Sequence, residues 1–134
     1  MKILRFCPLL FSALLTLGCG DFNHRMAVES EHTIKDSAFL SISSAQVIPE
    51  SEFEIIFAPS EQVEITEAHI VGASMYMGKI PLFFKKTQNG SHKAIGMVGV
   101  CSEKEMEWQI QIFYKDMTLQ QQKTATLNFV ATNV

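Results

Sequence analysis

The chain has 134 residues, 47% of them hydrophobic and 19% charged, with a formal net charge of −3 at pH 7. That length suits one domain with a core of its own. Lys85-Lys86 is the only adjacent basic pair, so the sequence lacks the basic run expected of a protein that binds nucleic acid by releasing counterions.

The first eighteen residues read as an export signal. Lys2 and Arg5 form a short positive region, and Phe6 to Leu17 carries no charge and is mostly Leu, Phe and Ala. This apolar run is too short to span a bilayer, which needs about 20 residues, and has the layout of a secretory signal. It ends in Leu15-Thr16-Leu17-Gly18-Cys19-Gly20, which resembles the bacterial lipobox, with Thr16 standing where that motif most often has Leu. The resemblance implies a diacylglycerol on the Cys19 thiol, cleavage after Gly18 and acylation of the new amino terminus. It also implies a membrane partner reached through the N-terminal lipid. Each buried methylene contributes about 0.8 kcal/mol, so several acyl chains hold the protein stably. Gly20, in place of the Asp that favours inner-membrane retention in enteric-type sorting, points to the outer membrane, on a periplasm-facing side of the cell envelope.

Without Lys2 and Arg5, 9 basic residues remain against 14 acidic ones. Residues 19–36 are polar and without a clear period, and read as the lipidated cysteine followed by a flexible tether. From there to residue 134, short β-type runs alternate with turn signals. Phe39 to Ser43 is the first run and Glu52 to Phe57 the second. Val63 to Val71 shifts phase between Ile65 and Ala68, which predicts a β-bulge near Glu67. Ile80 to Lys86 is compact and apolar, and Asn89-Gly90 predicts a hairpin turn back into Lys93 to Val100. Glu107 to Lys115 places Trp108, Ile110, Ile112 and Tyr114 on one face. The last strand does the same with Ala125, Leu127, Phe129 and Ala131. The pattern predicts an all-β fold after the signal peptide: an antiparallel, immunoglobulin-like β-sandwich of about seven strands over residues 37–134, with a small up-and-down barrel as the rival architecture.

Cysteine usage leaves one thiol. Cys7 lies in the signal and Cys19 is assigned to lipid, so Cys101 has no partner for an intramolecular disulfide. Near it in sequence stand four of the seven methionines: Met75, Met77, Met97 and Met106. In an extended strand Met75 and Met77 would point the same way. Thioether and thiolate ligands select Cu(I), so Met75, Met77, Cys101 and Met106, with His69 as a further ligand, form a candidate Cu(I) site. The competing reading of the same residues is core packing, since Met fills gaps and Cys is often buried. Trp108 is expected in the core with its N–H seeking a partner.

From Val63 to Tyr114, the Met-x-Met-Gly turn, the apolar strand, the Gly turn and the late Met106-Glu107-Trp108-Gln109-Ile110 strand resemble the YtkA-like group of small exported β-sandwich domains. Met75, Met77 and Gly78 match its methionine-rich turn and Trp108 its late-strand aromatic; Cys101 stands where a Met or Gly is expected. The resemblance implies a place near copper handling. The sequence holds no Gly-x-Ser-x-Gly elbow, no His-Glu-x-x-His and no phosphate-cradling glycine loop, and its alternating carboxylates fit a solvated sheet face. The expectation is therefore a non-enzymatic, membrane-anchored envelope lipoprotein that binds Cu(I) or a protein partner in copper handling. The alternative is a structural or assembly lipoprotein of an envelope complex that holds no metal.

Overall fold

The computed structural model describes residues 32–35 and 39–133. Its strands in chain order are β1 (His32–Lys35), β2 (Leu40–Ile42), β3 (Phe53–Phe57), β4 (Val63–Gly72), β5 (Lys79–Pro81), β6 (Lys85–Lys86), β7 (His92–Gly96), β8 (Glu105–Asp116) and β9 (Gln121–Thr132). No helix occurs among the described residues. The strands form two sheets, one ordered β1-β9-β8-β4-β5 and the other β2-β3-β7-β6. The fold is the expected β-sandwich. It has more strands than expected, and two pairings depart from the antiparallel rule: β1 runs parallel to β9, and Val47 bridges Ala131 in parallel. The β1 strand falls within the stretch read as tether; the signal segment, the cleavage site and Cys19 lie outside the described residues.

Period-two patterning places the core. Along β8, Met106, Trp108, Ile110, Ile112 and Tyr114 are buried, with less buried residues between them. From β3, Phe53, Ile55 and Phe57 meet them across the sandwich. Burying each such side chain contributes roughly 1.5–3 kcal/mol. The phase shift in β4 is resolved as predicted, by a register slip between Ile65 and Glu67. Thr66 is the extra residue, and its Oγ1 donates to the Phe113 carbonyl at 3.0 Å. The slip lets Ala68 and Ile70 face the same core as Ile65.

The apolar run from Ile80 to Lys86 is not one strand. Its first part, β5, pairs with β4, and its last part, β6, pairs with β7 in the other sheet. Pro81 offers no N–H to continue the ladder and sits on the edge strand. Leu82 donates its N–H to the Ala68 carbonyl at 2.8 Å, and the chain then crosses between sheets. The Asn89-Gly90 turn does join β6 to β7. It is a five-residue connection over 87–91, not the tight two-residue form, and within it only Gly90 takes a positive φ, 85°. Thr87 bonds to both Asn89 and Ser91 side chains to hold it.

The sandwich has two distinct ends. The connections 58–62, 87–91 and 117–120 lie at one end, joined by the Met117 N–H to the Gln62 carbonyl at 2.9 Å. The described chain enters at this end: His32 pairs with Lys123 near the start of β9, and Leu40 pairs with Phe57 at the finish of β3. Connections 43–52, 73–78 and 97–104 lie at the far end. Twelve-residue β8 and β9 span the distance between, about 40 Å at about 3.3 Å per residue.

Candidate functional site

The sequence-selected residues gather at the far end, with one exception. Gly72 closes β4, and a Cβ there would lie 2.0 Å from the Met75 carbonyl oxygen and 2.8 Å from Met106 Cε. Only glycine allows loop 73–78 to fold back so tightly. The loop is tied to β8 by the Ala73 N–H, which donates to the Glu107 carbonyl at 2.8 Å. Met106 is buried beneath it and belongs to the core. Above it Met75, Tyr76 and Met77 are 46%, 87% and 39% exposed. Residues 73–75 are bends and 76–78 are irregular, so no extended strand holds the loop and the expected shared face of Met75 and Met77 does not arise from strand geometry. Gly78, at φ 77°, turns the chain into β5.

Cys101 lies on the 97–104 connection, half-buried against the core and free of any disulfide. Its carbonyl accepts from Asn133 Nδ2 at 3.0 Å, and the same amide donates to the Glu103 carbonyl at 2.9 Å. The Glu50 N–H holds the Val98 carbonyl at 2.8 Å. The loop backbone is therefore pinned, while Met97 and Val100 point their side chains into solvent.

His69 is the exception. Its neighbours Ala68 and Ile70 face the core, so His69 faces out and cannot share a centre with inward-facing Met106. It is nonetheless buried, with the Phe113 ring 5.7 Å away and the Gln111 and Glu67 side chains against it. Its Nε2 bonds Gln111 Oε1 at 2.9 Å, and its Nδ1 lies 3.0 Å from Glu67 Oε1 at an angle outside hydrogen-bond geometry. The ladder continues from Gln111 Nε2 to Gln109 Oε1 at 2.6 Å and from Gln109 Nε2 to Asn128 Oδ1 at 2.8 Å. Both ring nitrogens face protein oxygens on the outer side of the sheet, one within hydrogen-bond geometry and one outside it. Among the described residues no group of three or more His, Cys, Asp or Glu side chains is placed to hold a metal ion.

The entry end carries the strongest ion pairing. Asp116 Oδ1 accepts the N–H groups of Thr118 and Leu119 at 2.8 and 3.0 Å, which shapes the β8–β9 turn. Its Oδ2 accepts from Lys123 Nζ at 2.7 Å, and Lys123 also reaches Glu61 at 3.3 Å. The Lys123 bond, with the two N–H groups, holds the Asp116 carboxyl below its ordinary value, and the Asp116 bond raises Lys123. Burial pushes Glu61 up, but hydrogen bonds from Ser60, its own backbone N–H and Lys123 outweigh it and leave Glu61 lowered. A carboxyl with a depressed folded-state value contributes stability that is complete above its ordinary value and lost as pH falls through the folded one. For Asp116 that window opens just below 3.8. Thermal melts across the acid range are expected to show Asp116→Asn with a lower plateau at neutral pH and a shallower acid limb than the wild type.

Sequence reasoning missed two exposed aromatics. Tyr76 shows in the sequence only as part of a methionine-rich turn. Phe83 lies between core-facing Leu82 and Phe84, so strict alternation would have placed it outside. Trp108 is buried as expected, yet among the described residues its Nε1 has no hydrogen-bond partner. No family model, curated protein or solved structure matches the chain.

Proposed function

We propose that this chain is an envelope lipoprotein: exported, lipidated on Cys19, held at a membrane surface, and used as a non-enzymatic binding module. The observation that carries the binding role is the far end. Met75, Tyr76 and Met77 on one loop and Met97 and Val100 on another are exposed there, at the opposite end from the chain entry. Tyr and Met are enriched at protein interfaces, where they give large adaptable apolar contact. An envelope protein partner bound at this end would stand clear of the anchoring membrane. Gly20 favours the outer membrane.

The immunoglobulin-like class belongs to the same reading. Lettered in chain order from β2, the strands give A-B-E-D on one sheet and G-F-C-C′ on the other, an arrangement that supports it. A photoreactive residue at position 76 tests the binding role in intact cells. The expected result is one discrete protein adduct; labelling no stronger than at the outward-facing position 122 would reject it.

Cu(I) binding is the second reading. Its support is that Met75, Met77 and Cys101 all lie on loops of one end, with soft sulfur donors suited to that ion. A Cu(I) titration against a competing chelator is expected to show weaker affinity in Met75→Ala/Met77→Ala/Cys101→Ser. Unchanged affinity would leave the partner-binding role alone, with or without a copper pathway behind it.

A further inference from the structure

A second surface, on the sheet β2-β3-β7-β6, has no place in the binding role of the far end. Phe83 stands 80% exposed on the crossover between β5 and β6. Beside it an open groove of about 510 Å³ is lined by Phe83, Ile95, Lys85, Lys86 and Lys93, among others. The lysines are crowded. Lys85 pairs directly across from Lys93, and Lys86 pairs with His92. Like charges placed opposite one another on a sheet are destabilising. Burial first, and Lys86 second, hold the His92 ring below its ordinary value. Among the described residues one carboxylate answers the three ammonium groups: Glu54, 2.9 Å from Lys93. Among the described residues Lys85 and Lys86 have no ion-pair partner, which leaves net positive charge beside an apolar side chain, on a chain whose remaining charge is negative.

Its position gives the partner. Lys86 and His92 sit level with Phe57, and Phe57 pairs with Leu40, where the chain enters the same sheet. Cys19 stands only 13 residues before His32. At most about 3.6 Å per residue, that chain reaches about 45 Å, so a lipid on Cys19 keeps this end within reach of the bilayer. From these observations we propose that the face formed by Phe83, Lys85 and Lys93, with Lys86 at its edge beside His92, docks on an anionic phospholipid surface, with Phe83 entering the headgroup region and the lysines meeting the phosphates. The proposal rests on the lipid anchor read at Cys19 and goes beyond it: the anchor supplies proximity and this face supplies orientation. The domain is held by its entry half, and the Met75-Tyr76-Met77 loop is turned outward.

Each lysine near an anionic surface strengthens binding roughly five-fold, and salt weakens the effect by screening. The test uses the mature protein carrying its lipid, reconstituted into vesicles. Phe83→Trp supplies the probe, and Trp108, 1% exposed, gives a constant buried background that the unsubstituted protein calibrates. Flotation reports anchoring, and emission from the introduced indole reports docking. The expected result is flotation on all vesicles, with a blue shift and quenching by brominated lipid only when phosphatidylglycerol is present. Lys85→Glu/Lys86→Glu/Lys93→Glu is expected to remove the shift while the protein still floats. Flotation on phosphatidylglycerol with the introduced indole still in water overturns the docking and leaves the anchor standing. A shift that needs added envelope protein assigns the face to a protein and overturns it too. A protein with no lipid and no flotation overturns the anchor and the docking together.

Discussion

Phe57→Ala is expected to lower the unfolding free energy by about 3–5 kcal/mol. The ring is fully buried and stands between the two sheets, against Tyr114 of the facing one. Edge-on contacts link it to Tyr114 at 5.1 Å, Phe39 at 5.7 Å and Phe84 at 6.3 Å, and a tilted contact links it to His92 at 6.1 Å. Its neighbours come from β7, β8, the start of the described domain and the β5–β6 crossover. Truncation therefore leaves a cavity walled by elements that cannot all relax inward at once. A domain of this size has about 5–15 kcal/mol in total, so a large share of the stability goes. Urea unfolding should show a lower midpoint with an unchanged slope. Phe83→Ala is the internal control: the same residue type, exposed, with an expected change within about 0.5 kcal/mol. Equal losses at the two positions would mean that the sandwich core is not where the structure places it.

The Met75→Ala/Tyr76→Ala/Met77→Ala variant is expected to lose partner binding without losing stability. Removing a central aromatic anchor from an interface costs about 2 kcal/mol or more, a factor of about 30 in affinity. The loop side chains are exposed, and the contacts that fix the loop are those of Gly72, Ala73 and Gly78, which the variant keeps. Melting temperature should match the wild type while the adduct trapped at the far end disappears. For trapping in the variant, the photoreactive residue is moved to position 97 on the neighbouring loop. Undiminished trapping would place the interface elsewhere, with the outer-face ladder of His69, Gln111, Gln109 and Asn128 as the next surface to examine.

Much of this architecture is legible in the sequence, because period-two burial is a local property. Trp108, Ile110, Ile112 and Tyr114 declare a strand face directly, and the phase slip between Ile65 and Ala68 declares the bulge. The split of residues 80–86 is not legible. Seven apolar-rich residues read as one strand until a second sheet competes for their far half, and that competition is tertiary. The short strand β1 is hidden for a similar reason: the polar segment around His32 shows no period of its own and pairs only because β9 offers an open edge. For the candidate site, sequence spacing selects a stretch whose loops gather at one end of the sandwich, and misjudges its geometry. Met75 and Met77 are two apart, but Gly72 and Gly78 bend their loop. Met106 is drawn into the core by the alternation of β8. His69 is carried to the opposite face because one residue of strand reverses direction. The charge crowding at Lys85, Lys86 and Lys93 is invisible as well, since Lys93 joins the pair only through the register of β6 on β7.

Both proposed surfaces depend on the attachment of the chain to a membrane by its own amino terminus. The direct measurement is the intact mass and amino-terminal sequence of the protein extracted from the membranes of its native cell. The expected species begins at Cys19 and is heavier than its amino acids by a diacylglycerol and a further acyl group. A chain that begins elsewhere, or one whose mass is that of its amino acids alone, would contradict the anchored reading.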